Sequence, residues 1–233
     1  MNSTFHDLVR QSSLFQEVNP AVFEQVLACS VERSVEEGGY YFMQGDPATH
    51  AYVLAQGRVK MVQITPSGQQ ITLRMMTPGQ TYGGIAMLNP HAGYPATALA
   101  VENSTALAWD TETLRGLAEQ EPRLSLNIMQ LMHGYITELQ TRQQALVSAK
   151  VEQRIARILL KLAAQSGKEV EEGVLIDMPL TRQDVAEMSG TTLFTVSRTL
   201  NEWERSSLLK IGRERVVICN PHGLVRIADD LVE

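Results

Sequence analysis

Between residues 40 and 103, short runs of alternating apolar and polar positions follow one another: YYFM (40–43), AYVLAQG (51–57), RVKMVQIT (58–65), QQITLRMM (69–76) and ATALAVEN (96–103). Gly38-Gly39, Gly45, Gly57, Gly68, Gly79 and Gly83-Gly84 punctuate them, and Thr65-Pro66-Ser67-Gly68 has the composition of a hairpin turn. Strands this short, with a turn signal about every 11 residues, predict an antiparallel barrel or double-sheet roll. A helical stretch from Phe5 to about Ser30 precedes the roll. After it the period changes. From Pro122 to about Ser148 the only glycine is Gly134 and no further proline occurs, which predicts one long helix. Along it Ile128, Met132, Tyr135, Leu139, Arg142 and Leu146 fall at alternating spacings of 4 and 3, a heptad seam of the kind that pairs parallel helices. Leu124, Leu131 and Ile136 on adjoining faces are available to pack on the roll.

The stretch LTRQDVAEMSGTTLFTVSRTL (180–200) has the pattern of a helix-turn-helix. Val185, Ala186 and Met188 give a short first helix its inward face, Ser189-Gly190 makes the turn, and Val196 and Leu200 seat a second helix. Thr191, Thr192, Phe194, Thr195, Ser197 and Arg198 are left outward, a polar face with one cation of the kind that a DNA major groove accepts. Arg198 is the candidate for a bidentate contact with guanine, and Phe194 for pressing on a thymine methyl. Residues 208–219, LLKIGRERVVIC, read as two short strands broken at Gly212-Arg213. A helix-turn-helix followed by such a hairpin is a winged helix, and Arg213 and Arg215 are placed to meet phosphates.

Charge argues against a diffuse basic surface. The chain of 233 residues has a net charge of −6, with 8 basic and 13 acidic residues up to residue 147 and 12 and 13 beyond it. DNA affinity then depends on locally placed cations and on dimerisation, which doubles the phosphate contacts. Two distant cysteines, Cys29 and Cys219, give neither a disulfide framework nor a metal spacing. No run is apolar and long enough for a membrane span, and MNSTFHDLVR lacks a signal-peptide pattern, so a cytoplasmic protein is expected.

A β-roll can be a metal-dependent enzyme of the cupin type, but His6, His50, His91, His133 and His222 include no His-x-His pair. No nucleophile elbow or phosphate-binding glycine loop is present either, so an enzyme is not expected. A protein-interaction adaptor built on the roll is the blander alternative.

These features together resemble the CRP/FNR family of bacterial transcription regulators. The resemblance is carried by EEGGYYFMQGDPATHAYVLAQGRVKMVQITPSGQQITL, by VEQRIARILLKLA and by TRQDVAEMSGTTLFTVSRTLNEWERSSLLKIGRERVVI. It implies an α+β chain in three parts: an effector-sensing, cyclic-nucleotide-binding-like β-roll at 1–121, a dimerisation helix at 122–148 and a winged helix-turn-helix at 149–233. A homodimer on a palindromic duplex follows, with Ile128, Met132, Tyr135, Leu139 and Leu146 in its seam and RNA polymerase as a further partner. Thr181, Arg182 and Gln183 match family positions near the phosphate backbone. The segment YGGIAMLNPHAGYPATALAV (82–101) matches the effector pocket, giving Gly83, Gly84, Met87, His91, Tyr94 and Thr97 as candidates.

Departures from the family narrow the effector. Gly84 stands where cyclic-AMP-responsive members have glutamate, and Tyr94-Pro95 replaces the Arg-Ser pair that neutralises the cyclic phosphate. Cyclic AMP is not expected. Two cysteines are too few for an iron–sulfur cluster in one subunit. The run AMLNPHAGYPATALAV is most similar to the nitric-oxide-responsive (Dnr/Nnr-type) branch, which implies haem, with His91 as an axial ligand and His6 as the other. That resemblance also implies control of nitrogen-oxide or anaerobic respiration genes. A carbon-monoxide sensor, a redox switch at Cys29 and a small organic-acid or aromatic ligand are the other readings of the roll.

Overall fold

The computed structural model of the chain describes residues 3–89 and 91–230. It forms two compact units, 1–138 and 139–233, with the long helix running from one into the other. Each is described by itself.

The first unit opens with two helices, α1 (Ser3–Gln11) and α2 (Pro20–Ala28), where the sequence suggested one. The break has a local cause. Asn19 accepts the N–H of Ala21 through its side chain, and Pro20, which has no N–H to leave unpaired, starts α2. Eight strands follow: β1 (Val31–Val35), β2 (Tyr40–Phe42), β3 (His50–Gln56), β4 (Val59–Ile64), β5 (Gln70–Met76), β6 (Thr81–Tyr82), β7 (Thr97–Ala100) and β8 (Ser104–Asp110). They make two antiparallel four-stranded sheets, in the orders β1-β8-β3-β6 and β2-β7-β4-β5. This is the double-sheet roll expected.

Strand β3 is buried along most of its length because both its faces are covered. Tyr52 and Leu54 enter the aromatic core of the roll with Tyr41, Phe42, Tyr82 and Tyr94. Ala51 and Val53 join a second core with Leu14, Phe15, Phe23, Leu107 and Trp109, where the helices cover the outside of the sheet. The Trp109 ring N–H donates to the Val26 carbonyl at 2.8 Å, which satisfies its buried polar atom. Asp110 caps α3 (Thr111–Gln120), accepting the N–H groups of Glu112 and Thr113.

Helix α4 (Pro122–Ser148) has the bounds its sequence predicts. Its buried Asn127 donates to the carbonyls of Leu14 and Gln16, at 3.0 and 2.8 Å, and so ties the helix to the chain between α1 and α2. The alternation readings at 40–103 located five strands but not β1, β6 or β8. Strand β6 is too short to show a period. Strand β8, STALAWD, is buried on both faces and therefore does not alternate.

The second unit contains α5 (Val151–Ser166), β9 (Gly167–Val170), β10 (Gly173–Ile176), α6 (Arg182–Ser189), α7 (Leu193–Arg205), β11 (Leu209–Gly212), β12 (Arg215–Ile218) and α8 (Pro221–Ala228). Its antiparallel sheet has the order β11-β12-β10-β9. Gly212 pairs with Arg215, so the wing turns on Arg213-Glu214 and not on Gly212-Arg213. The left-handed backbone falls on Glu214, at φ 52°, a position that a search for glycine passes over.

Candidate DNA-binding surface and effector cavity

Helix α6 starts on a reciprocal cap. The Thr181 hydroxyl accepts the Asp184 N–H at 3.0 Å while the Asp184 carboxylate accepts the Thr181 N–H at 3.1 Å and its hydroxyl at 2.6 Å. The Thr181 side chain is therefore committed to holding the helix end. The helix stops at Gly190, whose φ of 63° is left-handed, and an added Cβ there would come within 2.5 Å of Leu146 Cδ2. Three arginine contacts hold the carbonyls at this end: Arg142 donates to Glu187 at 2.9 Å, and Arg154 to Ser189 at 2.8 Å and Gly190 at 3.4 Å. Sequence reading missed the role of Arg154; a cation on the helix that opens this unit gives no local sign of the turn it clamps.

Helix α7 starts at Thr192, which accepts the Thr195 N–H and shares a 2.9 Å hydroxyl contact with Thr195. Val196, Thr199, Leu200 and Trp203 are buried, one face of the helix at spacings of three and four. The opposite face leaves Thr192 and Arg198 exposed and Phe194 77% exposed, with Thr191, Thr195 and Ser197 half-buried beside them. An open phenylalanine next to an arginine with no hydrogen bond or ion pair among the described residues is an unfinished surface. Nearby, Arg182 donates to Asn201 and Gln183 to Glu187, so both are held in place at the start of α6. Arg213 is exposed at the wing tip. Arg215 lies 3.9 Å from Glu172, whose carboxyl is held low mainly by its hydrogen bond to Lys210.

The first unit holds a cavity of about 190 Å³ between the roll and α4. Its wall includes four of the predicted residues, Gly83, Gly84, Met87 and Tyr94. Two others lie elsewhere. His91 is exposed on its loop and does not line the cavity. Thr97 is buried, with its hydroxyl accepting the Gln44 N–H at 2.9 Å. His6 packs on the edge of Phe23 and pairs with Glu24 at 3.2 Å. The described lining residues thus include no histidine or cysteine, a donor set that does not fit a haem held by His91 and His6, and no metal-ligand cluster occurs among the described residues.

Tyr94 stands where the resemblance places the family's arginine. Its ring stacks on Phe42 with centroids 3.7 Å apart, and its hydroxyl accepts the His50 N–H and donates to the His50 carbonyl. Burial pushes the Tyr94 phenol up to about 12, so it stays neutral.

Sequence reading missed much of the wall, including Met61, Arg74, Met76 and Thr81 on the strands and Leu131 of α4. Ile128, Met132 and Tyr135, assigned to the dimer seam, also line it. Farther along that seam Arg142 binds within the second unit. Ile128, Met132 and Tyr135 are half-buried against the roll of their own chain. The exposed apolar residues of α4 lie one position over, at Leu126, Met129, Ile136 and Val147, with Leu139 and Leu146 also open.

Family models match one segment in each unit. Residues 32–121 match the cyclic nucleotide-binding domain and residues 153–227 the Crp-like helix-turn-helix domain. The chain is 27% identical over 192 residues to a global nitrogen regulator of Synechococcus elongatus, covering 81% of this chain and 86% of that one. It is 28% identical over 200 residues to the fumarate and nitrate reduction regulatory protein of Yersinia pestis, covering 84% and 78%. The solved structure of FixK2 from Bradyrhizobium japonicum superposes with a TM-score of 0.75 at 20% identity, over 85% of this chain and 96% of that one. With an effector-domain roll followed by a winged helix-turn-helix, both matched by family models, the chain belongs to the CRP/FNR family of DNA-binding transcription regulators.

Proposed function

We propose that the protein is a homodimer that binds a palindromic DNA site through α7, under control of a small molecule held in the roll cavity. The observation that carries the reading is the outer face of α7: Phe194, Ser197 and Arg198 stand on a helix fixed from behind by Val196, Leu200 and Trp203. Arg198 reads a guanine edge and Phe194 a thymine methyl, while Thr191, Thr192 and Thr195 line the same face. Arg182, Gln183 and the wing's Arg213 position the duplex through its phosphates, and the amides at the start of α6 add to this. RNA polymerase is the partner of the bound dimer.

The dimer forms along the open stripe of α4. Leu126, Met129, His133, Ile136, Gln140, Gln143 and Val147 follow the 3-4 heptad alternation and are all exposed. Covering each half-exposed apolar side chain contributes about 1 kcal/mol per copy. Relatives named for nitrogen regulation and for fumarate and nitrate reduction support genes of nitrogen or anaerobic metabolism as targets. Gas sensing through haem gains no support from the cavity wall.

Ile136→Glu tests the dimer, since it puts a charge in the middle of the stripe. Sedimentation is expected to give a dimer for the parent chain and a monomer for the variant, with weaker DNA binding. A variant that stays dimeric contradicts the assignment.

A further inference from the structure

The cavity wall is apolar over most of its area, with Met61, Met76, Met87, Met132, Ile128 and Leu131 among its residues. Against this wall stands one cationic side chain among the described lining residues, Arg74 of β5. Its guanidinium meets the carboxylate of Glu138 on α4 at 3.0 Å and lies 5.8 Å from the centroid of the Tyr135 ring, which also lines the cavity. Both partners of the ion pair are about one-third exposed, at 33% and 27%. A pair so open to solvent shifts an equilibrium by roughly fivefold or less, so a competing carboxylate can replace Glu138 at small cost. The competitor gains a hydrogen-bonded ion pair with the guanidinium fork and, with an apolar body, the methionine wall as well.

We infer that the effector is a small organic acid, one carboxylate on an apolar aliphatic or aromatic body, which binds Arg74 in place of Glu138. The inference rests on reading the cavity as the effector site. It differs from the family's cyclic phosphate in position as well as chemistry: the resemblance sets the phosphate's arginine at Tyr94, in the loop before β7 and with its hydroxyl taken by His50, whereas Arg74 lies on β5. Methionine side chains have no strong donor or acceptor for a ribose, and they adapt readily to the shape of an apolar body. Displacing Glu138 also releases a tie between the roll and α4, the helix that continues into the DNA-binding unit.

Calorimetric titration of the full chain with hexanoate, benzoate and phenylacetate, each beside its uncharged amide, and with cyclic AMP tests the inference. At least one acid is expected to bind, with its amide about tenfold or more weaker. Glu138→Gln removes the competing carboxylate and is expected to tighten acid binding severalfold. Arg74→Gln is expected to abolish it, with the denaturant unfolding of the full chain unchanged as a sign that it remains folded.

Equal binding of acid and amide, acid binding that survives Arg74→Gln, preference for cyclic AMP, or no acid bound by either the parent or Glu138→Gln would each overturn the assignment. DNA binding measured on the same samples separates the two readings. A chain that binds acid but binds no DNA either with or without the acid faults the regulator reading and leaves the acid site standing.

Discussion

The two units carry their functions in different ways. In the second, the surface offered to DNA comes almost entirely from one helix-turn-helix and the wing behind it. Its buried face, turn glycine and outward polar face can be read along 20 or so residues. In the first, the cavity draws on β2, β4, β5, β6, the loop at Tyr94 and α4, so its wall exists only once the roll has closed. A surface that meets a regular partner such as a duplex can be built on one helix. A surface that encloses a small molecule must come from many elements, and its chemistry is correspondingly scattered through the sequence.

A matched pair of glycines gives the most severe test of that contrast. Gly83, at φ 79°, lies where an added Cβ would meet the Tyr52 ring at 2.9 Å and the His50 carbonyl at 3.0 Å. Gly83→Ala is expected to cost the roll about 3 kcal/mol in denaturant unfolding, since neither neighbour can retreat. Gly190→Ala in the other unit carries similar backbone strain, but the close atom belongs to the flexible Leu146 side chain. About 2 kcal/mol is expected there, with DNA binding reduced because α6 and α7 no longer meet at the same turn. Equal and negligible losses at both sites would mean that neither turn is as tight as described.

Arg198→Ala follows, at about 1–3 kcal/mol of binding free energy in fluorescence anisotropy, with choice relaxed at one base pair and not across the site. A loss spread uniformly over all sequences would assign Arg198 to phosphate contact instead. The smallest effect is expected at the wing, where Glu214 holds φ 52° without glycine. Glu214→Gly should stabilise the second unit by about 0.5–1 kcal/mol, read as a raised denaturation midpoint.

Much of this architecture was legible in the sequence, for physical reasons that also mark where reading stops. The bounds of α4 and the inward residues Val185, Ala186, Met188, Val196 and Leu200 follow from helical periodicity and caps. The wing turn was misplaced by one residue because Glu214, not Gly212, takes the left-handed angle. Two heptad stripes coexist on α4, and pattern alone does not say which of them faces its own roll. Once Ile128, Met132 and Tyr135 are seen in the cavity wall, the stripe through Met129 and Ile136 is left open. His91 and Thr97 were assigned to the pocket by position in a family segment, yet one is exposed on a loop and the other turns its hydroxyl to Gln44. Arg74 had no motif to reveal it. It is an ordinary strand arginine until Glu138 and Tyr135 arrive from α4.

The central claim, a dimer that reads DNA through α7, is tested most directly by selecting binding sites for the full chain from a pool of random duplexes. The expected result is a single enriched palindrome with half-sites about one helical turn apart, whose guanine preference disappears with Arg198→Ala. Recovery of no preferred sequence, or of one unaffected by that substitution, would contradict it.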